Sequence, residues 1–228
     1  MKLKFKHQKF QADAADAVIK VFNGQPPLSS SYLIDRGYIE PQKIKQQKLF
    51  QKEEQAKQRA LSTGFCNHPL IPKLNKNIIL DNLHKIQISN QIEPSKELID
   101  GLNLTVEMET GTGKTYTYIK TMFELNKHYG WSKFIIVVPS IAIREGVYKS
   151  FNITQEHFAE EYNKKIKFFI YNSTRLNEIE QFANDGGLNV MIINSQAFNA
   201  RGKDARRIYM KLDSFRSRRP IDVIAKTN

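Results

Sequence analysis

The chain has 228 residues, which is enough for one α/β domain with its own core and an additional segment, since domains usually run to about 100–200 residues. Its hydrophobic fraction of 40% and aromatic fraction of 11% are those of a globular protein and exclude disorder throughout. Lysine and arginine number 35 against 23 aspartates and glutamates, a net charge of +12. That charge favours a polyanionic partner such as nucleic acid.

The cysteine count and the apolar segments indicate the cellular setting. Cys66 is the single cysteine, so an internal disulfide framework is excluded, and the charged opening lacks the apolar stretch of a secretory signal. The apolar runs are also too short to cross a bilayer. We therefore predict a cytoplasmic protein without a membrane role.

Residues 9–22 are predicted to form a short amphipathic helix. Apolar side chains recur there at helical spacing: Phe10, Ala14, Ala17, Val18, Val21 and Phe22. The Asn-Gly-Gln-Pro-Pro sequence of residues 23–27 then ends the helix. Residues 28–75 are rich in lysine and glutamine, and we predict an exposed helix within a polar insertion that extends to residue 100.

From Leu102 onward the pattern changes to short apolar runs separated by helical stretches. The runs cover residues 102–108, 134–138, 166–170 and 188–193. Strands that alternate with helices are typical of a parallel sheet with helices on both faces. The sequence therefore predicts an α/β fold in this part of the chain.

A glycine-rich loop joins the first predicted strand to the next predicted helix, in the sequence Met108-Glu-Thr-Gly-Thr-Gly-Lys-Thr115. Gly111 and Gly113 allow the backbone to turn its N–H groups toward phosphate oxygens at the start of the helix. Lys114 is expected to reach the β- and γ-phosphates of a nucleotide. The strict pattern requires glycine at position 108, so the match is to a variant of the phosphate-binding loop.

The predicted ligand of this loop is ATP with Mg²⁺. Thr115 is expected to hold the metal through its hydroxyl group, and Lys114 and Thr115 are the candidate catalytic residues. The loop residues predicted to contact the nucleotide are Thr110, Gly111, Thr112, Gly113, Lys114, Thr115 and Tyr116.

Two long motifs resemble a known family. The segment from Val106 to Tyr116, followed by the segment from Phe134 to Val147, is similar to the restriction (Res) subunit of type III restriction-modification enzymes. Members of that family are ATP-dependent site-specific deoxyribonucleases with a helicase-like motor of superfamily two. The resemblance implies a RecA-like first motor lobe, double-stranded DNA as the substrate, and a methyltransferase (Mod) subunit as the partner.

The resemblance also implies roles for residues outside the loop. Phe10 and Gln11 look like the aromatic-glutamine pair that contacts adenine in helicases, where the amide can both donate and accept. Pro139, Ser140 and Arg144 look like the motif that touches the DNA backbone after the second strand. Ser195 and Gln196 resemble a second backbone contact. The basic run of residues 201–219, with eight basic and two acidic residues, is either a phosphate-tracking segment or a solvated loop.

The sequence contains no Asp-Glu dipeptide, whereas hydrolysis in such motors uses a carboxylate pair at the end of an apolar strand. We therefore expect three regions: a helix with an adenine-reading glutamine at 1–27, a polar insertion at 28–100, and a motor lobe at 101–228 that stops before the acidic motif. On this expectation the chain is an N-terminal part of its parent enzyme and is inactive alone.

Two other functions remain open at this point. The first is an unrelated phosphate-loop enzyme that transfers a phosphoryl group to a metabolite. The second is a basic nucleic-acid-binding module whose nucleotide loop is vestigial, for which salt-sensitive DNA binding that is indifferent to ATP would be the signature.

Overall fold

The computed structural model describes residues 5–28, 31–33, 64–199, 207–215 and 217–227. The helices are α1 (Lys9–Val21), α2 (Lys76–Ser89), α3 (Lys114–Tyr129), α4 (Ile141–Tyr162), α5 (Leu176–Asn184) and α6 (Pro220–Ala225). The strands are β1 (Ser31–Leu33), β2 (Gly64–Cys66), β3 (Lys133–Val138), β4 (Ile166–Ile170) and β5 (Leu188–Asn194). Within the described ranges, three 3₁₀ turns follow β5, at Ser195–Phe198, Arg207–Tyr209 and Asp213–Phe215.

The main sheet has three parallel strands in the order β3-β5-β4. Its central strand, β5, is buried on both faces, which explains why its sequence is an almost unbroken apolar run. Val190 and Ile192 point to one face, and Met191 and Ile193 point to the other. The strands β1 and β2 form a separate antiparallel pair.

Helices cover both faces of the main sheet. On one face, α3 and α4 contribute a core that includes Phe123, Phe151 and Phe158, all almost completely buried. On the other face, α5 and α6 pack Phe182 and Ile224 against β5. The predicted parallel sheet with helices on both faces is therefore confirmed.

The helices α1 and α2 form a further layer outside the helices that cover the sheet, and α1 lies beside α3. The hydroxyl of Tyr129 at the end of α3 donates to the carbonyl of Ile19 in α1 at 2.7 Å. The buried amide of Asn82 in α2 donates to the carbonyls of Val21 and Asn23 at 3.2 and 3.0 Å, which satisfies the end of α1. These contacts fix the first helix of the chain against the helix that follows the glycine loop.

Polar side chains hold the start of β3. The amide of Asn67 donates to the carbonyl of Lys133 at 2.8 Å and accepts from the backbone N–H groups of Ser132 and Lys133 at 2.8 and 3.0 Å. The ammonium of Lys133 is buried and donates to the carbonyls of Phe182 and Asp185 at the end of α5. Burial lowers the pKa of Lys133 to about 8.

The predicted strand at residues 102–108 is wrong. Within the described residues this segment forms no ladder with another strand, and most of its side chains are exposed. A strand requires hydrogen bonds to a neighbour, which alternating apolar residues alone do not supply. Leu104 instead packs against the cluster of α1 and α2.

The other predicted elements agree closely with the structure, although the buried stripe of α1 differs. Its centre is Gln11, Ala15 and Ile19, whereas the predicted Phe10 is 47% exposed. The exposed helix predicted between residues 28 and 75 falls largely on residues 34–63, outside the described part of the chain. Across the described ranges, every helix is too short or too polar to pass through a bilayer.

Candidate functional site

The glycine loop ends at the N-terminus of α3, and its backbone adopts a conformation that favours glycine. Gly111 has φ of +84° and Gly113 has φ of +85°, both in the left-handed region. Gly113 is also the N-cap residue of α3, so no side chain covers the first N–H groups of the helix there. Such a helix start attracts anions because its free N–H groups and its dipole both present positive charge.

Gln11 packs directly against this loop. Its side chain is 8% exposed, and its amide nitrogen donates to the carbonyl of Thr112 at 2.9 Å. A methyl group on Gly113 would lie 2.5 Å from the same nitrogen. The loop and the first helix of the chain therefore form one packed unit although 101 residues separate Gln11 from Thr112.

Lys114 and Thr112 both bond to the carbonyl of Glu109. The ammonium of Lys114 and the hydroxyl of Thr112 each donate to it at 2.6 Å. Lys114 is exposed, so its ammonium lies over the loop at the solvent side. Thr115 follows as the second residue of α3 and is half-buried. Thr110 is exposed at the start of the turn.

Tyr116 joins α3 to α4 and to the N-terminal segment. Its hydroxyl lies 2.8 Å from Nε2 of His157, and its ring stacks on Phe5 with the ring centres 5.9 Å apart. Burial and then the charge of Glu161 raise the pKa of Tyr116 to about 12. Burial lowers the pKa of His157, an effect that Glu161 partly offsets. The pair is therefore a neutral hydrogen bond at physiological pH.

The residues predicted to contact DNA lie at the ends of the parallel strands. Ser140 follows β3 and caps α4, where its Oγ accepts from the N–H of Ile143 at 3.3 Å. The exposed Pro139 precedes it. Arg144, one turn into α4, pairs with Glu145 at 2.8 Å. Ser140 retains its hydroxyl hydrogen for a ligand, since it acts as an acceptor in the cap.

The end of β5 lies near the same edge of the sheet. Ser195 and Gln196 are exposed in the 3₁₀ turn that follows this strand. Gln196 and Arg144 line one cavity of ≈510 Å³, whereas Ser140 and Ser195 are not among its lining residues. Tyr171, Asn172 and Arg175 are among the lining residues that were not predicted from the sequence. Their position after the apolar run of residues 166–170 could have indicated them, because ligands bind at the carboxyl ends of the strands in parallel sheets.

Much of the basic run predicted at residues 201–219 falls on residues 201–206 and 216, outside the described part of the chain. Of the described members, Arg218 pairs with Glu180, and Arg219 pairs with Asp222 at 2.7 Å. These two arginines are thus partly neutralised. In the portion of the chain that the structure describes, no three histidine, cysteine or acidic side chains come together as a metal site.

Comparisons with known proteins agree with the resemblance. The family described as type III restriction enzyme, res subunit, matches residues 87–215, which is more than half of the chain. The Res subunit of the EcoPI enzyme from Escherichia phage P1 is 40% identical over 107 residues, and that of the EcoP15I enzyme from Escherichia coli is 38% identical over 107 residues. Each match covers 45% of this chain and 11% of the relative.

A third relative, the Res subunit of the StyLTI enzyme from Salmonella typhimurium, is 46% identical over 65 residues, covering 28% of this chain and 7% of the relative. The chain thus aligns with only about a tenth of the length of its curated relatives. The family match covers the glycine loop, all three parallel strands and the helices between them. A RecA-like α/β fold is consistent with both the sheet and the match, and the chain belongs to the family of type III restriction enzyme Res subunits.

Proposed function

We propose that this chain binds ATP, together with Mg²⁺, at the loop of residues 108–115. The observation that carries the proposal is the geometry of the loop: two left-handed glycines lead into an uncapped helix start, beside the exposed ammonium of Lys114. A side chain at Gly113 would close the space against Gln11. These features fit a polyphosphate, which needs converging N–H donors and a positive charge.

Each loop residue has a distinct role in this proposal. Lys114 moves its ammonium from the carbonyl of Glu109 to the phosphate oxygens, a short movement of one flexible side chain. Thr115 holds the metal through its hydroxyl, and Mg²⁺ supplies neutralisation of the phosphate charge when bound. The N–H groups at the start of α3 donate to the same phosphates.

Phe10 and Gln11 are proposed to contact the adenine base. The exposed ring of Phe10 offers a surface for stacking. Gln11 donates one hydrogen to Thr112, and its amide has a second hydrogen and a carbonyl oxygen with which to engage a base. Because the amide of Gln11 also donates to the loop, its contact with the base affects the shape of the phosphate site.

The function of the parent protein is proposed from its relatives. The named relatives are Res subunits of type III restriction-modification enzymes. We propose that this chain serves the same kind of enzyme, as part of a helicase-like motor that acts on double-stranded DNA with a methyltransferase (Mod) subunit. The net charge of +12 supports a polyanionic substrate. Pro139, Ser140, Arg144, Ser195 and Gln196 are its proposed contacts to the DNA backbone.

Titration calorimetry with Mg²⁺ and ATP tests the nucleotide site. We expect Lys114→Ala to weaken binding by about tenfold or more, because a charge-assisted hydrogen bond to phosphate is lost. Lys127→Ala is the matched control, since it removes a lysine charge from the opposite end of the same helix. Equal affinity of the Lys114→Ala variant and the wild type would overturn the proposal.

A further inference from the structure

The hydroxyl of Tyr118 is a buried polar group in α3 that has no hydrogen-bond partner among the described residues. The ring of Tyr118 packs against the core that lies between the sheet and the helices α3 and α4. Buried polar groups usually have a partner, so an unpartnered buried hydroxyl requires an explanation. The position of Tyr118, one turn after the glycine loop, supplies one.

Tyr118 lies beside Thr115, the residue that is proposed to hold Mg²⁺. Residues three positions apart share one face of a helix, and helical side chains lean toward the N-terminus of their helix. The side chain of Tyr118 therefore covers the turn that contains Thr115. Burial raises the pKa of Tyr118, and a side-chain interaction with Thr115 partly offsets this rise, which places the two hydroxyl groups close together. They are neighbours without a hydrogen bond of normal geometry between them.

The hydroxyl of Thr115 differs from those of the other two threonines in α3. Thr117 and Thr121 each donate to the backbone carbonyl of the residue four positions earlier, at 3.3 and 2.9 Å. In the part of the chain that the structure describes, Thr115 makes no such bond. A threonine in a helix divides between two side-chain rotamers, because its hydroxyl can bond to an earlier carbonyl. Thr115 thus needs another contact to fix the direction of its oxygen.

Tyr118 offers the acceptor that a metal-binding threonine requires. A hydroxyl that holds a metal uses a lone pair of its oxygen, and its hydrogen atom then needs an acceptor. The carbonyl of Glu109 in the loop already accepts from Lys114 and Thr112. The oxygen of Tyr118 has free lone pairs on the core side of Thr115. Because burial raises its pKa, the phenol stays protonated and adds no charge to the site.

We propose that Tyr118 is a positioning residue for Mg²⁺: its phenolic oxygen accepts the hydroxyl hydrogen of Thr115 and thereby directs the oxygen of Thr115 to the metal. The inference rests on the proposed binding of ATP with Mg²⁺ at the loop, and it deepens that proposal. A group that acts through Thr115 changes the contribution of the metal to nucleotide binding. It leaves the contacts of the phosphates with Lys114 and with the backbone unchanged.

The test compares ATP binding in Mg²⁺ with ATP binding in EDTA, by titration calorimetry on the full 228-residue chain. The ratio of the two dissociation constants measures the coupling between metal and nucleotide. It is measured for the wild type, Tyr118→Phe, Thr115→Val and the double variant. Tyr118→Phe removes the hydroxyl and keeps the ring, and Thr115→Val removes the hydroxyl at nearly constant volume.

Tyr171→Phe is the matched control. The hydroxyl of Tyr171 is also buried without a partner among the described residues, but its ring packs against the core on the opposite face of the sheet. This variant therefore loses the same chemical group at a comparable depth, away from Thr115. Thermal melts report whether each variant is folded.

We expect Tyr118→Phe to lower the coupling ratio by about threefold to tenfold, the range that one net hydrogen bond spans. ATP affinity in EDTA should equal that of the wild type. Thr115→Val should lower the ratio at least as much. Adding Tyr118→Phe to Thr115→Val should have no further effect, since the phenol acts only through the Thr115 hydroxyl. Tyr171→Phe should match the wild type in both solutions.

Each contrary result has a distinct meaning. An unchanged ratio in Tyr118→Phe, or equal losses of affinity in Mg²⁺ and in EDTA, would overturn the inference, because the hydroxyl would then have no role or a purely structural one. A further fall of the ratio in the double variant would overturn it too. If the wild type binds ATP equally well in both solutions, the inference fails while the loop remains an ATP site. If the wild type binds no ATP in either solution, the proposed function itself fails and the inference fails with it.

Discussion

Replacing Gly113 by alanine places a methyl group against Gln11 and tests whether the first helix and the loop are one packed unit. The new Cβ would lie 2.5 Å from the amide nitrogen of Gln11, closer than non-bonded atoms approach. Gln11 is buried and bonded to Thr112, so it has to give up that hydrogen bond to move. The residue at 113 must also hold φ near +85°, which alanine disfavours.

Gly111→Ala separates these two effects. Gly111 has nearly the same φ, +84°, but a methyl group there would meet nothing within 4 Å. The left-handed conformation costs alanine about 1–2 kcal/mol, and the lower entropy of the unfolded chain returns about 0.4–1 kcal/mol. The free energy of unfolding should therefore fall by about 1 kcal/mol in this variant.

Gly113→Ala carries the same backbone terms and in addition loses the hydrogen bond of Gln11, which is worth about 1 kcal/mol. Its free energy of unfolding should fall by about 2 kcal/mol. In a Gln11→Ala background the extra loss should vanish, because the methyl group then has room. Urea denaturation of the four single and double variants against the wild type measures each value.

Equal costs for the two glycine variants would refute the argument, since the contact with Gln11 would then have no energetic effect. An extra cost of Gly113→Ala that persists without Gln11 would refute it as well. In that case the difference would come from the backbone at the start of α3, and Gln11 would not support the loop.

Three other predictions concern the body of the fold. The free energy of unfolding of the wild type should rise between about pH 8 and 10.5, and Lys133→Met should abolish this rise. Burial lowers the pKa of Lys133 to about 8, so in this pH range the unfolded chain binds the proton more tightly than the folded chain does. Urea midpoints that change with pH equally in both proteins would contradict this. Asn67→Ala should lower the free energy of unfolding by about 3 kcal/mol, because it removes the hydrogen bonds of the Asn67 amide to the N–H groups of the buried Ser132 and Lys133 and to the carbonyl of Lys133. A loss under about 1 kcal/mol in urea unfolding would show that water replaces the Asn67 amide. Phe158→Ala should lower the free energy of unfolding by about 3–5 kcal/mol because the ring is fully buried, whereas Ile153→Ala on the exposed side of the same helix should lower it far less. Similar losses of stability for both variants would contradict the assigned core.

The central strand of the main sheet was predictable because burial on both faces demands a continuous apolar run. β5 shows this most clearly, since Val190 and Met191 point into different cores and both must be apolar. The glycine loop was predictable for a related reason: left-handed backbone at Gly111 and Gly113 restricts the residue type. In both cases a local physical requirement restricts the residue types that neighbouring positions can have.

Features that depend on distant parts of the chain were not predictable in the same way. Residues 102–108 alternate like a strand, but the ladder that defines a strand needs a neighbour, and none pairs with them in the described structure. Burial of Gln11 depends on a carbonyl 101 residues away. The cavity combines Arg144, Arg175 and Gln196, which only the sheet brings together.

Hydrogen exchange of the backbone amides, with and without Mg²⁺ and ATP, tests the central claim most directly because it shows where the nucleotide binds. Peptides that cover residues 109–117 should exchange more slowly with ATP in the wild type, since the loop N–H groups then donate to phosphates. The same peptides should show less protection in Lys114→Ala at the same ATP concentration. Absence of protection in the wild type, or protection confined to the cavity beside Arg175, would contradict the assignment of the loop as the ATP site.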